Sequence, residues 1–105
     1  MVATDRSAPD MVSNLTAFQR DLLFVIASVG PAKGLAVKDE LSDYYAKEIN
    51  HGQLYPNLDT LVDRGLVEKG PMDRRTNSYE LTPRAKQELE SRREWERSYL
   101  EGVSA

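Results

Sequence analysis

Cysteine is missing from all 105 residues, and histidine occurs once, as His51. The first absence excludes disulfides, thiolate-bound metal and thiol redox chemistry. The second leaves no histidine pair to hold a metal, so neither a metal site nor a cofactor is expected. Long apolar runs are also lacking: the longest, residues 22–29, falls far short of the roughly 20 residues that span a bilayer. Residues 1–14 have no apolar central segment and carry Asp5, Pro9 and Asp10, which does not read as a signal peptide. A cytoplasmic protein without a membrane partner is expected. Glycine-rich phosphate loops, metal-spaced His or Glu pairs and Ser or Cys nucleophile motifs are absent too, so no catalytic residue is expected and the chain does not read as an enzyme.

Positive charge is not in excess either. The net charge is -3, and Asp and Glu match the Lys and Arg even in the middle of the chain. Affinity for a polyanion comes mainly from Lys and Arg displacing counterions, so any such affinity here depends on placement rather than bulk charge.

What is present is a readable order of elements within one domain-sized chain. Residues 1–14 are polar and read as a flexible tail. Thr16 and Gln19 have capping-box spacing, and Gly30-Pro31 stops a helix through a left-handed cap, which predicts a helix over Ala17–Val29. Phe18, Leu22, Val25, Ile26 and Val29 form one stripe, while Leu23, Phe24 and Ala27 fall on the other side. A helix apolar on both sides must be covered twice. A second helix over residues 35–45 has a weaker stripe of Leu35, Leu41, Tyr44 and Tyr45, with Val37 beside it. After a short connector Asn50 caps a third helix that runs to Gly65, with Leu54, Leu58, Leu61 and Val62 as its core stripe. Pro56 sits inside it, where a proline costs on the order of 3 kcal/mol, so a kink is expected there. A hairpin follows, with a strand over residues 66–69 and a basic tip at Arg74 and Arg75. Thr82 and Pro83 then open a fourth helix to about Leu100.

This pattern predicts a mainly α fold with a small β-hairpin: a winged helix-turn-helix over residues 15–81 and a C-terminal helix over 82–105. Away from its core stripe, the third helix displays His51, Gly52, Gln53, Tyr55, Pro56, Asn57 and Thr60 behind the Asn50 cap, whereas Asp59 and Asp63 occupy its far end. Carboxylates are repelled by phosphate, so this helix would enter a groove of double-stranded DNA with its N-terminus first. Gln53 and Asn57 suit adenine edges, and His51 suits guanine or phosphate. Lys69, Arg74, Arg75 and Asn77 of the hairpin complete the candidate DNA surface. A homodimer surface is expected from Phe18, Leu23 and Phe24 of the first helix with Leu89, Trp95, Tyr99 and Leu100 of the last, Arg92 and Glu96 pairing at its wet margin.

The run Gly52-Gln-Leu-Tyr-Pro-Asn-Leu, the spaced Leu61, Gly65, Leu66 and Val67, and Arg75 with Tyr79, Leu81 and Thr82 resemble the signature of PadR-like winged-helix transcriptional regulators, in particular haloarchaeal members. The resemblance implies a homodimer on a palindromic operator, a recognition helix over residues 50–64, a wing over 69–79 and a dimerising C-terminal helix. It also implies a backbone contact from Tyr55 and a place in a stress response. A winged-helix module that binds protein instead of DNA is the competing reading, and the sequence assigns no effector.

Overall fold

The computed structural model describes residues 12–103. A 3-10 turn at Val12–Asn14 leads into α1 (Ala17–Val29), β1 (Ala32–Lys33), α2 (Gly34–Tyr45), α3 (His51–Asp63), β2 (Val67–Pro71), β3 (Asn77–Leu81) and α4 (Pro83–Leu100). The tail expected over residues 1–14 lies mostly outside the described residues. Its last part is packed: Val12 is buried, and its N–H donates to Glu88 Oε1 of α4 at 3.1 Å.

α1 starts where the sequence places it. Thr16 Oγ1 accepts from the Gln19 N–H and Gln19 Oε1 accepts from the Thr16 N–H, each at 3.1 Å, so two free backbone donors are satisfied reciprocally. Its end differs in mechanism from the expected left-handed cap. Gly30 has φ -74 and ψ 157, an extended conformation open to any residue. Glycine is required by crowding instead, since a Cβ there would lie 2.7 Å from the Ile26 carbonyl oxygen and 3.0 Å from that of Tyr79.

α1 packs against α2, α3, β3 and α4 at once, which explains why Leu22 and Leu23, adjacent in sequence, are both fully buried. The expectation that Leu23 faces a partner subunit is therefore corrected. Leu23 lies in the core of its own chain, and of that second side only Phe24 and Ala27 stay uncovered. Phe24 stays exposed, while Phe18 is half-buried with its ring 6.2 Å from that of Tyr45.

On α2 the inward residues are Val37, Lys38 and Leu41. Leu35 and Tyr44, expected in its apolar stripe, point to solvent. The buried Lys38 ammonium is compensated by an ion pair with Glu48 in the α2–α3 turn. α3 runs unbroken through Pro56 and closes with the Gly65 N–H on Val62 and the Leu66 N–H on Leu61, both at 3.0 Å. Gly65 takes φ +76, the left-handed conformation this ending requires.

The sheet is three-stranded and antiparallel in the order β1-β3-β2, with Tyr79 of β3 between Ala32 and Lys69. β1 was not expected, because two residues carry no strand periodicity. Thr82 caps α4 by accepting from the Ala85 N–H at 3.1 Å. Ala85 and Leu89 are buried against the body, so Leu89 joins Leu23 as a core residue rather than an open dimer contact. Beyond Leu89 α4 borders the body only through clefts with Val12 and Ser13 and with Phe24 and Ala27, and every residue from Arg93 to Leu100 is exposed.

Candidate nucleic-acid interface

The first turns of α3 are built to present side chains outward. Asn50 Oδ1 accepts from the Gln53 N–H at 2.8 Å, which fixes the start of the helix. Leu54, Leu58 and Leu61 anchor the opposite face in the core. Asn50, His51, Gly52, Gln53 and Pro56 are exposed as a consequence. Free amides at this end and the helix dipole favour an anion, and no carboxylate stands in the first turn.

Two of the expected readers are engaged internally. Asn57 is half-buried: its Oδ1 accepts from Gln19 Nε2 at 2.9 Å and its Nδ2 donates to the Gln53 carbonyl at 2.7 Å. Thr60 Oγ1 donates to the Pro56 carbonyl at 3.1 Å. Gln53 therefore remains as the fully presented amide, and Asn57 is better described as part of its support.

Tyr55 turns toward the hairpin. Its ring lies across Gly34 at the start of α2, where a Cβ would meet Tyr55 Cε1 and Oη at 2.8 Å, and it meets the His51 ring edge-on at 5.7 Å. A groove of about 370 Å³ is lined by Lys33, Gly34, Leu35, Tyr55, Arg75, Thr76, Asn77 and Tyr79. It brings together one residue of α3 and two of the hairpin that were expected to act jointly. Lys33 also lines it, a cation that sequence reading passed over although a basic residue directly before a helix start was a usable signal.

The hairpin tip is ordered by Asp73. Its carboxylate accepts from the Arg75 N–H at 3.0 Å, and Met72 and Asp73 donate their N–H groups to the Thr76 carbonyl. The Arg75 N–H and the Thr76 side chain hold the Asp73 carboxyl below its ordinary pKa. Arg74 and Arg75 are left exposed at the end of this turn. Lys69, at the root of the hairpin, lies 3.6 Å from Asp59 of α3. Among the described residues there is no cluster of His, Cys, Asp or Glu fit to hold a metal ion, and no helix is long and apolar enough to cross a membrane.

Against this geometry the relatives can be placed. The model of the PadR-like family of transcriptional regulators matches residues 22–91. The chain belongs to the PadR-like family. Among solved structures it is similar to RosR of H. salinarum grown from NaBr, at 47% identity over 88% of this chain and 82% of that one, with a TM-score of 0.80. The complex structure of hsRosR-S1 matches at 48% identity over 84% of this chain and 78% of that one, with a TM-score of 0.81. This PadR-like chain is thus a homologue of haloarchaeal RosR. A PadR-like transcription factor from Bacteroides fragilis, 16% identical over 83% of this chain and 89% of that one, has a TM-score of 0.65 and shares the fold. No curated protein matches the chain.

Proposed function

We propose that this PadR-like protein is a sequence-specific DNA-binding transcriptional regulator, acting as a homodimer on a palindromic operator. The observation that carries the reading is the groove that joins Tyr55 of α3 to Arg75 and Asn77 of the hairpin. Helix tip and wing tip thereby border one outward surface, as a helix in the major groove with a wing on the adjoining backbone requires. Residues 15–81 form the DNA-binding unit, with α3 as recognition helix. Gln53 reads a base edge, His51 and Tyr55 meet base or backbone, and Arg74 and Arg75 grip phosphate.

Residues 82–105 supply the dimer arm. Trp95, Tyr99 and Leu100 are 52%, 68% and 65% exposed on the last turns of α4, and apolar surface of that kind is covered in a stable assembly. The likeness to haloarchaeal RosR supports both assignments, and a role in a stress response belongs to the same proposal.

The test is a gel shift with the tightest duplex selected by the wild-type protein from a random pool. Replacing Arg74 and Arg75 by Ala abolishes retention on this reading. Undiminished retention rules out a wing that grips phosphate, and a wild-type protein that selects no duplex rules out the regulator.

A further inference from the structure

A directed line of hydrogen bonds runs from the backbone at the start of α1 to the backbone of the first turns of α3. The Thr16 N–H donates to Gln19 Oε1 at 3.1 Å. That bond leaves Nε2 as the end of Gln19 that faces α3, and it donates to Asn57 Oδ1 at 2.9 Å. Asn57 must then present Nδ2 on its other side, where it donates to the Gln53 carbonyl at 2.7 Å. Both amide orientations follow from the two backbone ends, so neither can be reversed without setting two acceptors face to face. Gln19 is 9% exposed on a helix otherwise buried through Leu22, Leu23 and Ile26. A buried amide in such a position is costly unless it is bonded.

The stretch held in this way is the one that needs it. Pro56 has no N–H, so the Gly52 carbonyl loses its helical donor and the ladder is thinnest at the exposed tip of α3. Gln53 is clamped on either side of this gap, its N–H on Asn50 and its carbonyl on Asn57.

We infer that Gln19, buried behind the DNA surface, is a positioning residue for sequence discrimination: through Asn57 it fixes the backbone that carries Gln53. The inference rests on the DNA-binding reading for its consequence, but not for its mechanism. A loosened tip loses the direction of its base contact and keeps its phosphate contacts, so discrimination falls and general affinity does not.

The experiment uses the full chain with Gln19→Leu and, separately, Asn57→Ala, which breaks the same link from the α3 side should the α1 variant fail to fold. Two quantities are read: exchange of the bonded backbone amides of Gln53, Leu54, Tyr55 and Asn57 in the free protein, and the ratio of affinities for the selected duplex and a random duplex. Expected is exchange at least tenfold faster at the bonded amides of Gln53, Leu54, Tyr55 and Asn57 with that of residues 61–63 unchanged. The affinity ratio falls by roughly tenfold, the size of one lost base contact, while random-duplex affinity stays within about twofold. A purely structural role lowers both affinities together and speeds exchange throughout α3, and that result overturns the inference. Unchanged exchange at those four amides overturns it as well. If the wild-type protein prefers no duplex, the DNA reading fails on its own, and the exchange measurement still decides whether Gln19 holds the helix.

Discussion

Lys69 Nζ of β2 stands 3.6 Å from Asp59 Oδ1 of α3, so one of the few cations available to the wing is shared with a carboxylate of that helix. Both side chains are well exposed, and a pair of this kind adds only about 0–1 kcal/mol to stability. On the proposed function its effect on binding is larger, because a cation already neutralised releases no counterion from DNA. Asp59→Asn frees Lys69 and removes a charge that repels phosphate. The slope of log affinity against log salt is expected to steepen by up to about 0.9, the share of one phosphate contact. Anisotropy titrations at several salt concentrations read the slope directly. An unchanged slope means that Lys69 does not reach the backbone.

That pair also shows what kind of information the sequence withheld. Thr16 with Gln19, Asn50, and Thr82 with Pro83 mark their helix starts through bonds spanning three residues, so these boundaries were legible. Gly65 was legible for the same reason, since its left-handed turn is local. The internal bonds of Asn57 were not legible because its partner Gln19 is 38 positions away, nor was the burial of Leu23, because periodicity reports that a side is apolar without saying which element covers it. β1 exists only through its pairing with β3. On the candidate surface, residue types were visible in the sequence, whereas which of them have spare hydrogen-bonding capacity depended on tertiary contacts.

Gly34 separates packing from recognition. A methyl group there would stand 2.8 Å from Cε1 and Oη of Tyr55, and the phenol tip, half-exposed at the groove, is the part able to yield. Alanine is also the better helix former, by about 1 kcal/mol, which offsets part of the crowding. Gly34→Ala is therefore expected to change stability by no more than about 1 kcal/mol. Selected-duplex affinity is expected to fall by roughly tenfold, because the Tyr55 hydroxyl is redirected. Thermal melts and binding isotherms on the same preparation check both. Intact affinity in a well-folded variant removes Tyr55 from the DNA contacts.

Tyr45 ties α2 to α1 through a 2.6 Å hydrogen bond from its hydroxyl to Asp21 Oδ2. Burial pushes its pKa up to about 12, and the bond to the Asp21 carboxylate adds to the shift. A folded value raised above the ordinary 10 means that the neutral phenol is favoured in the fold. The stability it contributes is complete below about pH 10 and is lost as pH rises toward 12. Melting temperature followed across this window is expected to drop more steeply in the wild-type protein than in Tyr45→Phe, which has no proton to lose. At neutral pH the same variant loses about 1 kcal/mol, below the roughly 1.5–3 kcal/mol of a hydrogen bond to a charged group because the half-buried Asp21 carboxylate regains water. Parallel alkaline profiles would show that the Tyr45–Asp21 bond does not govern this limb.

Trp95 is the sole tryptophan, and its surroundings make it a reporter as well as an anchor. The Arg92 guanidinium lies 4.7 Å from the ring centroid and the Tyr99 ring meets it edge-on at 5.1 Å. Arg92 is itself paired with Glu96 at 3.0 Å. The indole is thus pre-ordered on an exposed helix face, so docking it against a second copy costs little side-chain entropy. A central aromatic of this sort contributes on the order of 2 kcal/mol or more to an interface. Trp95→Ala is expected to raise the dimer dissociation constant by about 30-fold, read by sedimentation velocity, and the wild-type emission should shift to the blue as concentration rises. Leu35→Ala serves as the control, since Leu35 is also exposed but lies in the groove beside Tyr55. Affinity for a palindromic duplex should follow dimerisation in the Trp95 variant, while affinity for a single half-site stays as it was. Loss of dimer with full affinity for the palindrome would separate the two activities and show that each protomer binds independently.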